Sequence, residues 1–283
     1  MRQRVHARKR TREAAAAPVG DPRGMGAAMA IYLEQLRARG MTEQTVKTRT
    51  SGLRQFVAWC EERSVLRAEE VTRGVVECYQ RWLHGYERED GRRLTIRTQL
   101  GRLQAVRGLF GWLAKTNRIA YNPAGDLELP KTPVRLPRDV LTAEEAERVL
   151  EQAEPKTLLG LRDRAILEVL YSTGMRRMEV AGLDVEDVEA ERGVAMIREG
   201  KGRKDRVVPV GERALWWVSR YLREARPWMA VDETRGPLFV TETGERLSGS
   251  WLTDRVTQYV ERSGVAKKGS CHLFRHTCAT LRL

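Results

Sequence analysis

Apolar residues recur every three or four positions from residue 26 to about residue 129. That spacing is the period of one face of an α-helix, and it predicts four amphipathic helices in this stretch. Thr42 can cap the second helix, while the third and fourth begin after Thr72 and at about Thr95. The predicted inward-facing residues are Met29, Leu33 and Leu36; Leu53, Phe56, Val57 and Cys60; Val75, Val76, Tyr79, Trp82 and Leu83; and Leu103, Val106, Phe110 and Leu113. This half of the chain is therefore predicted to be an all-helical bundle.

The second half mixes helical and strand patterns. Thr142 and Glu145 have the spacing of a capping box, which opens a helix ending near residue 150. A further apolar helix from about residue 159 breaks at Thr173 and Gly174, and a short one follows. Two segments, 194–197 and 206–210, are rich in residues that favour strands. They flank a glycine-rich turn, which predicts an antiparallel hairpin. With helices at about 212–225 and 252–263, this half is predicted to be α+β with a small antiparallel sheet, so the whole fold is mainly α.

Prolines separate the two patterns. Pro130, Pro133 and Pro137 lack a backbone donor and alternate with basic residues, which is typical of an extended linker. The sequence predicts a helical domain over residues 25–129, a linker over 130–138 and a second domain over 139–283. Residues 1–24 are predicted to be a basic tail, either a disordered solubilising arm or an arm that lies along a phosphate backbone.

The charge balance narrows the choice of partner. The chain has 51 Lys and Arg against 38 Asp and Glu, a formal net charge of +13. This excess indicates a polyanion, with nucleic acid preferred to an anionic membrane, although a merely basic protein is the simpler alternative. No apolar run approaches the roughly 18 residues of a membrane span. No membrane partner is expected.

The cysteines and histidines suggest no metal site. Four scattered cysteines without a CxxC pair are typical of reduced thiols, so the expected location is the cytoplasm. The four histidines do not combine with them into a zinc set, and no glycine-rich phosphate loop is present. We therefore expect no metal ion and no nucleotide cofactor.

Two helices of the first domain each carry a row of basic residues opposite the apolar face. Basic side chains on a helix are usually its solvated face, but acidic residues are nearly absent from both rows, so the positive potential is not cancelled locally. The predicted DNA-contacting residues are Lys47, Arg49 and Arg54 on the second helix and Arg97, Arg102 and Arg107 on the fourth.

The second domain contains the candidate chemistry. Arg176 follows a helix break, Lys201 lies at the tip of the predicted hairpin, and His272 and Arg275 share one face of a helical turn. Two arginines can bind the non-bridging oxygens of a phosphodiester, a lysine can protonate a leaving oxygen, and a histidine can act as acid or base. Each also has a structural alternative: Arg176 as an ion-pair partner of Glu179, and the others as solvated turn residues.

Three stretches carry these residues: 171–180 (YSTGMRRMEV), 200–209 (GKGRKDRVVP) and 272–280 (HLFRHTCAT). Together they resemble the tyrosine recombinases, the phage-integrase and Xer-like family. The resemblance implies a helical, SAM-like core-binding domain followed by an integrase-type catalytic domain. It also implies site-specific DNA recombination through a 3′-phosphotyrosyl link. The implied partners are double-stranded DNA and other recombinase protomers, and the implied genetic context is a mobile element. Arg176 and Arg275 would bind the phosphate, Lys201 would be the general acid, and His272 would be the histidine of the HxxR motif.

One feature departs from the family pattern. The family's nucleophilic tyrosine follows the HxxR helix, whereas all seven tyrosines of this sequence precede His272. We expect the chain to be truncated, by an early stop, by the boundary of a mobile element or by the choice of expressed fragment. On this expectation it binds DNA and a scissile phosphate but does not cleave alone, assembles weakly, and exposes an apolar patch around Leu281 and Leu283.

Two other classes remain open at this stage. One is a non-catalytic DNA-binding protein that occupies recombination sites or regulates transcription. The other is the related type IB topoisomerase reaction, which uses similar groups but fits the Xer-like first domain less well.

Overall fold

The computed structural model describes residues 21–132, 139–198, 205–232 and 235–281. Several predictions fall outside these ranges: most of the basic tail, most of the linker, Lys201, and the end of the chain, including the side chain of Leu281. The chain divides into two compact units, Met1–Val134 and Arg135–Leu283.

The described residues of the first unit form four α-helices: α1 (Met25–Ala38), α2 (Glu43–Glu61), α3 (Arg73–Gly85) and α4 (Ile96–Lys115). A short 3₁₀ turn, Ala68–Glu70, lies between α2 and α3. The hydroxyls of Thr42, Thr72 and Thr95 accept hydrogen bonds from backbone N–H groups in the first turns of α2, α3 and α4. These caps start three helices where the sequence predicts them.

An aromatic cluster lies at the centre of this unit. The Phe56 ring on α2 meets the rings of Tyr79 on α3 and Phe110 on α4 edge-on, with centroids 4.9 and 5.8 Å away. Helices α2 and α4 approach most closely at Gly52, where a Cβ would lie 3.2 Å from the Cβ of Ala105. The absence of a side chain at Gly52 therefore lets the two helices that carry the basic rows pack directly against each other.

The second unit contains six helices and a three-stranded sheet within its described residues. Its helices are α5 (Ala143–Glu151), α6 (Leu158–Thr173), α7 (Arg177–Gly182), α8 (Glu212–Glu224), α9 (Gly249–Arg262) and α10 (Cys271–Leu281). Its strands are β1 (Val188–Glu189), β2 (Val194–Ile197) and β3 (Arg206–Pro209), antiparallel in the order β1-β2-β3 with Ala195 opposite Val208. The predicted hairpin is β2–β3, and β1 is an additional strand that the sequence pattern did not reveal. The prediction of a mainly helical fold with a small antiparallel sheet is confirmed.

Helix α6 is the central element of the second unit, since every residue from 161 to 170 is buried. Its buried charged groups have partners. Arg162 donates to Asp163 and to the carbonyl of Val240, and Glu168 accepts from Arg164 and Arg213. The predicted capping box that opens α5 is confirmed: the Thr142 hydroxyl accepts from the N–H of Glu145, whose carboxylate accepts from the N–H of Thr142.

Membrane insertion through a helix has no support in the described part of the chain. None of its helices combines the length and the apolar character that a bilayer crossing requires.

Candidate phosphate-binding site

The turn after α6 positions Arg176. Gly174 ends the helix with φ = 58°, in the left-handed region that favours glycine. The chain then turns so that Arg176 becomes the N-terminal cap residue of α7. Its backbone N–H donates to Glu179 Oε2 (2.8 Å) and its guanidinium Nη1 donates to Glu179 Oε1 (2.8 Å). The side chain is 36% exposed, so it is anchored on one side and open to solvent on the other.

Glu179 is the carboxylate on which this arrangement depends. Its side chain is only 7% exposed, and it also accepts a 2.7 Å hydrogen bond from Nη2 of Arg206. Burial alone would raise the pKa of Glu179, but the hydrogen bonds from Arg206 and Arg176 outweigh burial and lower it to about 2. Glu179 is therefore ionised at neutral pH. From the sequence, Glu179 is predicted only as a possible ion-pair partner of Arg176, and Arg206 is not predicted to belong to the site. The three-residue spacing from Arg176 to Glu179 is that of a capped helix N-terminus, and it is the signal that could have indicated the role of Glu179.

Arg275 reaches the same turn from α10. Its Nη1 donates to the carbonyl of Gly174 at 2.6 Å. A Cβ on Gly174 would lie 3.1 Å from the Cβ of Cys278 and 3.7 Å from the Cα of Arg275, so the backbone of α10 passes directly against the turn. Arg275 therefore contacts the turn two residues before Arg176.

Buried hydrogen bonds hold α10 in this place. The hydroxyl of Thr277, which is fully buried, accepts from the N–H of Leu141 (3.0 Å) and donates to the carbonyl of Leu273 (2.9 Å). The thiol of Cys278 donates weakly to the carbonyl of Ser172 (3.7 Å). Because Leu141 and Ser172 are far away in sequence, these contacts attach α10 to the rest of the unit.

His272 lies in the first turn of α10 and is exposed. Within the described ranges the His272 imidazole makes no hydrogen bond, so it remains available to a ligand. Lys201 lies outside the described residues. The strands that precede and follow it in the chain, β2 and β3, are paired, with Val194 opposite Pro209 and Ile197 opposite Arg206. The described residues contain no group of histidine, cysteine, aspartate and glutamate that could hold a metal ion.

Three tyrosines belong to the second unit. Tyr221 is fully buried, and burial raises its pKa to about 12. Tyr259 is 5% exposed and donates a 2.7 Å hydrogen bond to Asp163, while burial also raises its pKa. The ring of Tyr171 is half-buried and meets the ring of Phe274 edge-on at 6.4 Å. Tyr221 and Tyr259 are therefore core residues.

The predicted basic rows lie on α2 and α4. Four of their members are exposed and Arg49 is half-buried. The exposed members are Lys47, Arg54, Arg97 and Arg107. Arg102 differs from the prediction, because its side chain lies partly beneath Gly52 of α2 and its Nη1 atom is buried without a hydrogen-bond partner. The close approach of the two helices accounts for this, since it covers the position that the helical period alone assigns to the solvent face.

The sequence is similar to known recombinases over most of its length. The sequence profile of the phage integrase family matches residues 139–281. Tyrosine recombinase XerC 2 of Ralstonia nicotianae is 50% identical over 252 residues, covering 89% of this chain and 72% of that protein. Tyrosine recombinase XerD of Vibrio cholerae is 32% identical over 243 residues, covering 86% and 78%.

Solved structures share the fold. The XerH site-specific recombinase bound to difH substrate has a TM-score of 0.68 at 20% identity, covering 91% of this chain and 74% of that one. A lambda integrase dimer bound to a COC′ core site has a TM-score of 0.66 at 18% identity, covering 91% and 89%. At these identities the likeness establishes the fold alone, whereas the sequence matches extend to the family. The chain belongs to the phage integrase family and is an Xer-like tyrosine recombinase.

Proposed function

We propose that this protein takes part in site-specific DNA recombination, with residues 25–129 of the first unit as a DNA core-binding domain and residues 139–283 of the second unit as the catalytic domain. The observation that carries the proposal is that Arg275 donates to the carbonyl of Gly174, two residues before Arg176 in the turn that ends α6. Two guanidinium groups at one turn can neutralise the charge that grows on a phosphate as it becomes pentavalent. The 50% identity to a tyrosine recombinase supports the same reaction class.

Each site residue has a distinct chemical role in this proposal. Arg176 and Arg275 bind the non-bridging oxygens of the scissile phosphate, Lys201 gives a proton to the leaving 5′ oxygen, and His272 acts as acid or base. In this reaction class a tyrosine hydroxyl attacks phosphorus and the 3′-phosphotyrosyl bond replaces the broken phosphodiester. A 5′ hydroxyl of a partner strand then displaces the tyrosine. The reaction requires neither a metal ion nor a nucleotide.

We assign the nucleophile to none of the tyrosines in the second unit. Tyr221 and Tyr259 would have to leave the core to reach a phosphate, and the ring of Tyr171 is packed against Phe274 on α10. We therefore expect none of these three side chains to form a covalent adduct with DNA.

The proposed partners are duplex DNA, bound through the exposed residues of the basic rows, and further recombinase protomers. The proposed location is the cytoplasm. Solved structures of relatives include a lambda integrase tetramer bound to a Holliday junction and XerH bound to its difH substrate. Those complexes support a DNA-bound assembly for this chain as well.

A phosphate site without an attacking tyrosine can be tested with an external nucleophile. A duplex selected from a random pool by repeated binding would be incubated with the protein and hydrogen peroxide, and the strands would be separated on a denaturing gel. We expect a nick at one position with the natural sequence and none with Arg176→Ala or Arg275→Ala. No nick with the natural sequence, despite tight binding, would contradict the proposed phosphate site.

The second candidate function is that of a non-catalytic DNA-binding protein that occupies recombination sites or regulates transcription. The burial of Tyr221 and Tyr259 favours it, because it requires no nucleophile. It predicts binding without peroxide-dependent nicking. A nicked suicide duplex adds a second test: a covalent adduct that survives denaturation excludes this function, and its loss in Tyr171→Phe would identify the nucleophile.

A further inference from the structure

Arg206 is an arginine of the second unit that the family resemblance did not assign to the site. It is the first residue of β3 and pairs with Ile197 across the hairpin. Its side chain leaves the sheet and donates from Nη2 to Oε2 of Glu179, the same carboxylate that holds Arg176. Both arginine side chains are 36% exposed, whereas the carboxylate between them is 7% exposed. Two solvent-facing guanidinium groups are therefore joined through one nearly buried anion.

The charge balance at this point depends on Arg206. Glu179 and Arg176 alone would form a neutral pair, and a neutral pair attracts a phosphate weakly. Adding Arg206 gives the group of three a net positive charge at neutral pH. Since Arg275 is held by a neutral carbonyl, that of Gly174, it adds a further positive charge beside the same turn.

The hydrogen-bonding capacity of Arg206 is also largely free. A guanidinium has several N–H donors in one plane, and within the described ranges that of Arg206 uses only Nη2. With a side chain that is 36% exposed, Arg206 can present the remaining donors to an anion. Because Glu179 fixes one edge of each guanidinium, little side-chain entropy is lost when the free donors meet an anion.

We propose that Arg206 is a third phosphate-binding arginine of this site, which contacts the DNA backbone beside Arg176 while sharing Glu179 with it. The proposal deepens the proposed function and rests on it. A purely structural role would make Arg206 only a link between the hairpin and α7. The two roles differ in their consequences, since loss of a phosphate contact changes the salt dependence of DNA binding and loss of a structural link changes stability.

The first test measures duplex affinity as a function of salt concentration for the natural sequence, Arg206→Gln and Arg206→Lys. Each phosphate contact contributes a slope of about 0.9 to the plot of log affinity against log salt concentration. For Arg206→Gln we expect the slope to fall by about one contact and the affinity to fall roughly tenfold at moderate salt, because a charge-assisted hydrogen bond is lost. Arg206→Lys keeps the charge and is expected to retain the slope.

Arg223 provides a matched control. It is an exposed arginine of the same unit, paired with Glu224 at 3.3 Å on the surface of α8, and its replacement by glutamine removes the same charge. Arg223→Gln should leave the slope unchanged. If Arg206→Gln also leaves slope and affinity unchanged, Arg206 has only a structural role and the proposal is wrong. If the natural sequence shows no salt-dependent DNA binding, the proposed function itself fails.

A second measurement needs no variant and therefore does not depend on folding of Arg206→Gln. Phenylglyoxal modifies exposed arginines, and peptide mass spectrometry reports the rate at each residue. With saturating duplex DNA we expect modification of Arg206 to slow severalfold and that of Arg223 to stay the same. Equal rates at Arg206 with and without DNA would overturn the proposal.

Discussion

At the scale of single residues, Glu179 determines what the site can do. Its carboxylate, in the first turn of α7, accepts a hydrogen bond from the backbone N–H of Arg176. The hydrogen bonds from the side chains of Arg206 and Arg176 keep it charged. A carboxylate inside a phosphate-binding site is by itself counterproductive, because it repels the ligand. Here it orients two guanidinium groups, and the three arginines around the turn outnumber it.

The low pKa of Glu179 has a consequence for stability. A carboxyl group with a pKa of about 2 in the folded state, below its value in an unfolded chain, stabilises the fold above the unfolded pKa. That contribution is lost as pH falls from about 5 towards 2. We expect Glu179→Gln to destabilise the second unit at neutral pH, by about 1–3 kcal/mol, because two arginines lose a charged acceptor.

Urea unfolding at several pH values measures this effect. The difference between the natural sequence and Glu179→Gln should shrink as the pH is lowered through that range. Glu189 is a suitable control, since it pairs with Arg192 on the surface and is 42% exposed. Glu189→Gln should change the stability little at any pH, and a pH-independent loss for Glu179→Gln would show that ionisation of Glu179 is not the cause.

At the scale of elements, the site is a contact between the end of α6 and the side of α10. Gly174 permits that contact, because its left-handed backbone ends α6 and its missing side chain lets α10 approach. Thr277 then fixes α10 by accepting a buried hydrogen bond from Leu141, just before α5. Arg275 is therefore positioned by residues that do not touch the phosphate.

This arrangement predicts a selective effect of replacing Thr277. Thr277→Val keeps the shape but leaves the buried N–H of Leu141 without an acceptor, which should cost about 1–3 kcal/mol. Hydrogen exchange at the Leu141 amide should accelerate together with the loss of stability. Thr277→Ser keeps the hydroxyl, so its stability and its rate of hydrogen exchange at Leu141 should lie close to those of the natural sequence.

Thr280 offers the comparison within the same helix. Its hydroxyl donates to the carbonyl of His276 on the exposed side of α10. Thr280→Val should therefore change stability by less than about 0.5 kcal/mol. If Thr277→Val is equally mild, the bond to Leu141 does not anchor α10.

At the scale of the whole molecule, the formal charge of +13 matters through its distribution. In the second unit many arginines are committed to carboxylates or carbonyls, as at Glu147, Glu168 and Asp187. On α2 and α4 the exposed members of the basic rows lack such partners among the described residues. These four side chains are therefore available to an anionic partner.

We expect Arg97→Gln to reduce the salt dependence of duplex binding by about one phosphate contact, with the loss of affinity largest at low salt. The matched control is Arg73→Gln on α3, which removes an exposed arginine already paired with Glu77 at 2.8 Å. Titrations over a range of salt concentrations measure both slopes. Equal slopes for the two variants would contradict a DNA-contacting role for the row on α4.

Much of the architecture was already determined by the sequence. Helical periodicity and threonine caps are local properties, because they depend on residues within one or two turns, and they located the helices of the first unit. Strand-favouring residues around a glycine-rich turn are a local signal as well, and they located the hairpin of the second unit. The family motifs likewise indicate Arg176 and Arg275 as candidate phosphate-binding residues from the sequence alone, since each motif is contiguous in the chain.

Only the tertiary structure decided which side chains meet. The sharing of Glu179 by Arg176 and Arg206, the bond from Leu141 to Thr277, and the partial burial of Arg102 join residues of different elements. No periodic pattern reports such contacts, because they depend on how closely two elements pack. The missing side chains of Gly52 and Gly174 permit the close approach of α2 to α4 and of α6 to α10. The sequence thus determined the elements and the principal arginines, while packing determined their partners, their exposure and the charge that a DNA phosphate would meet.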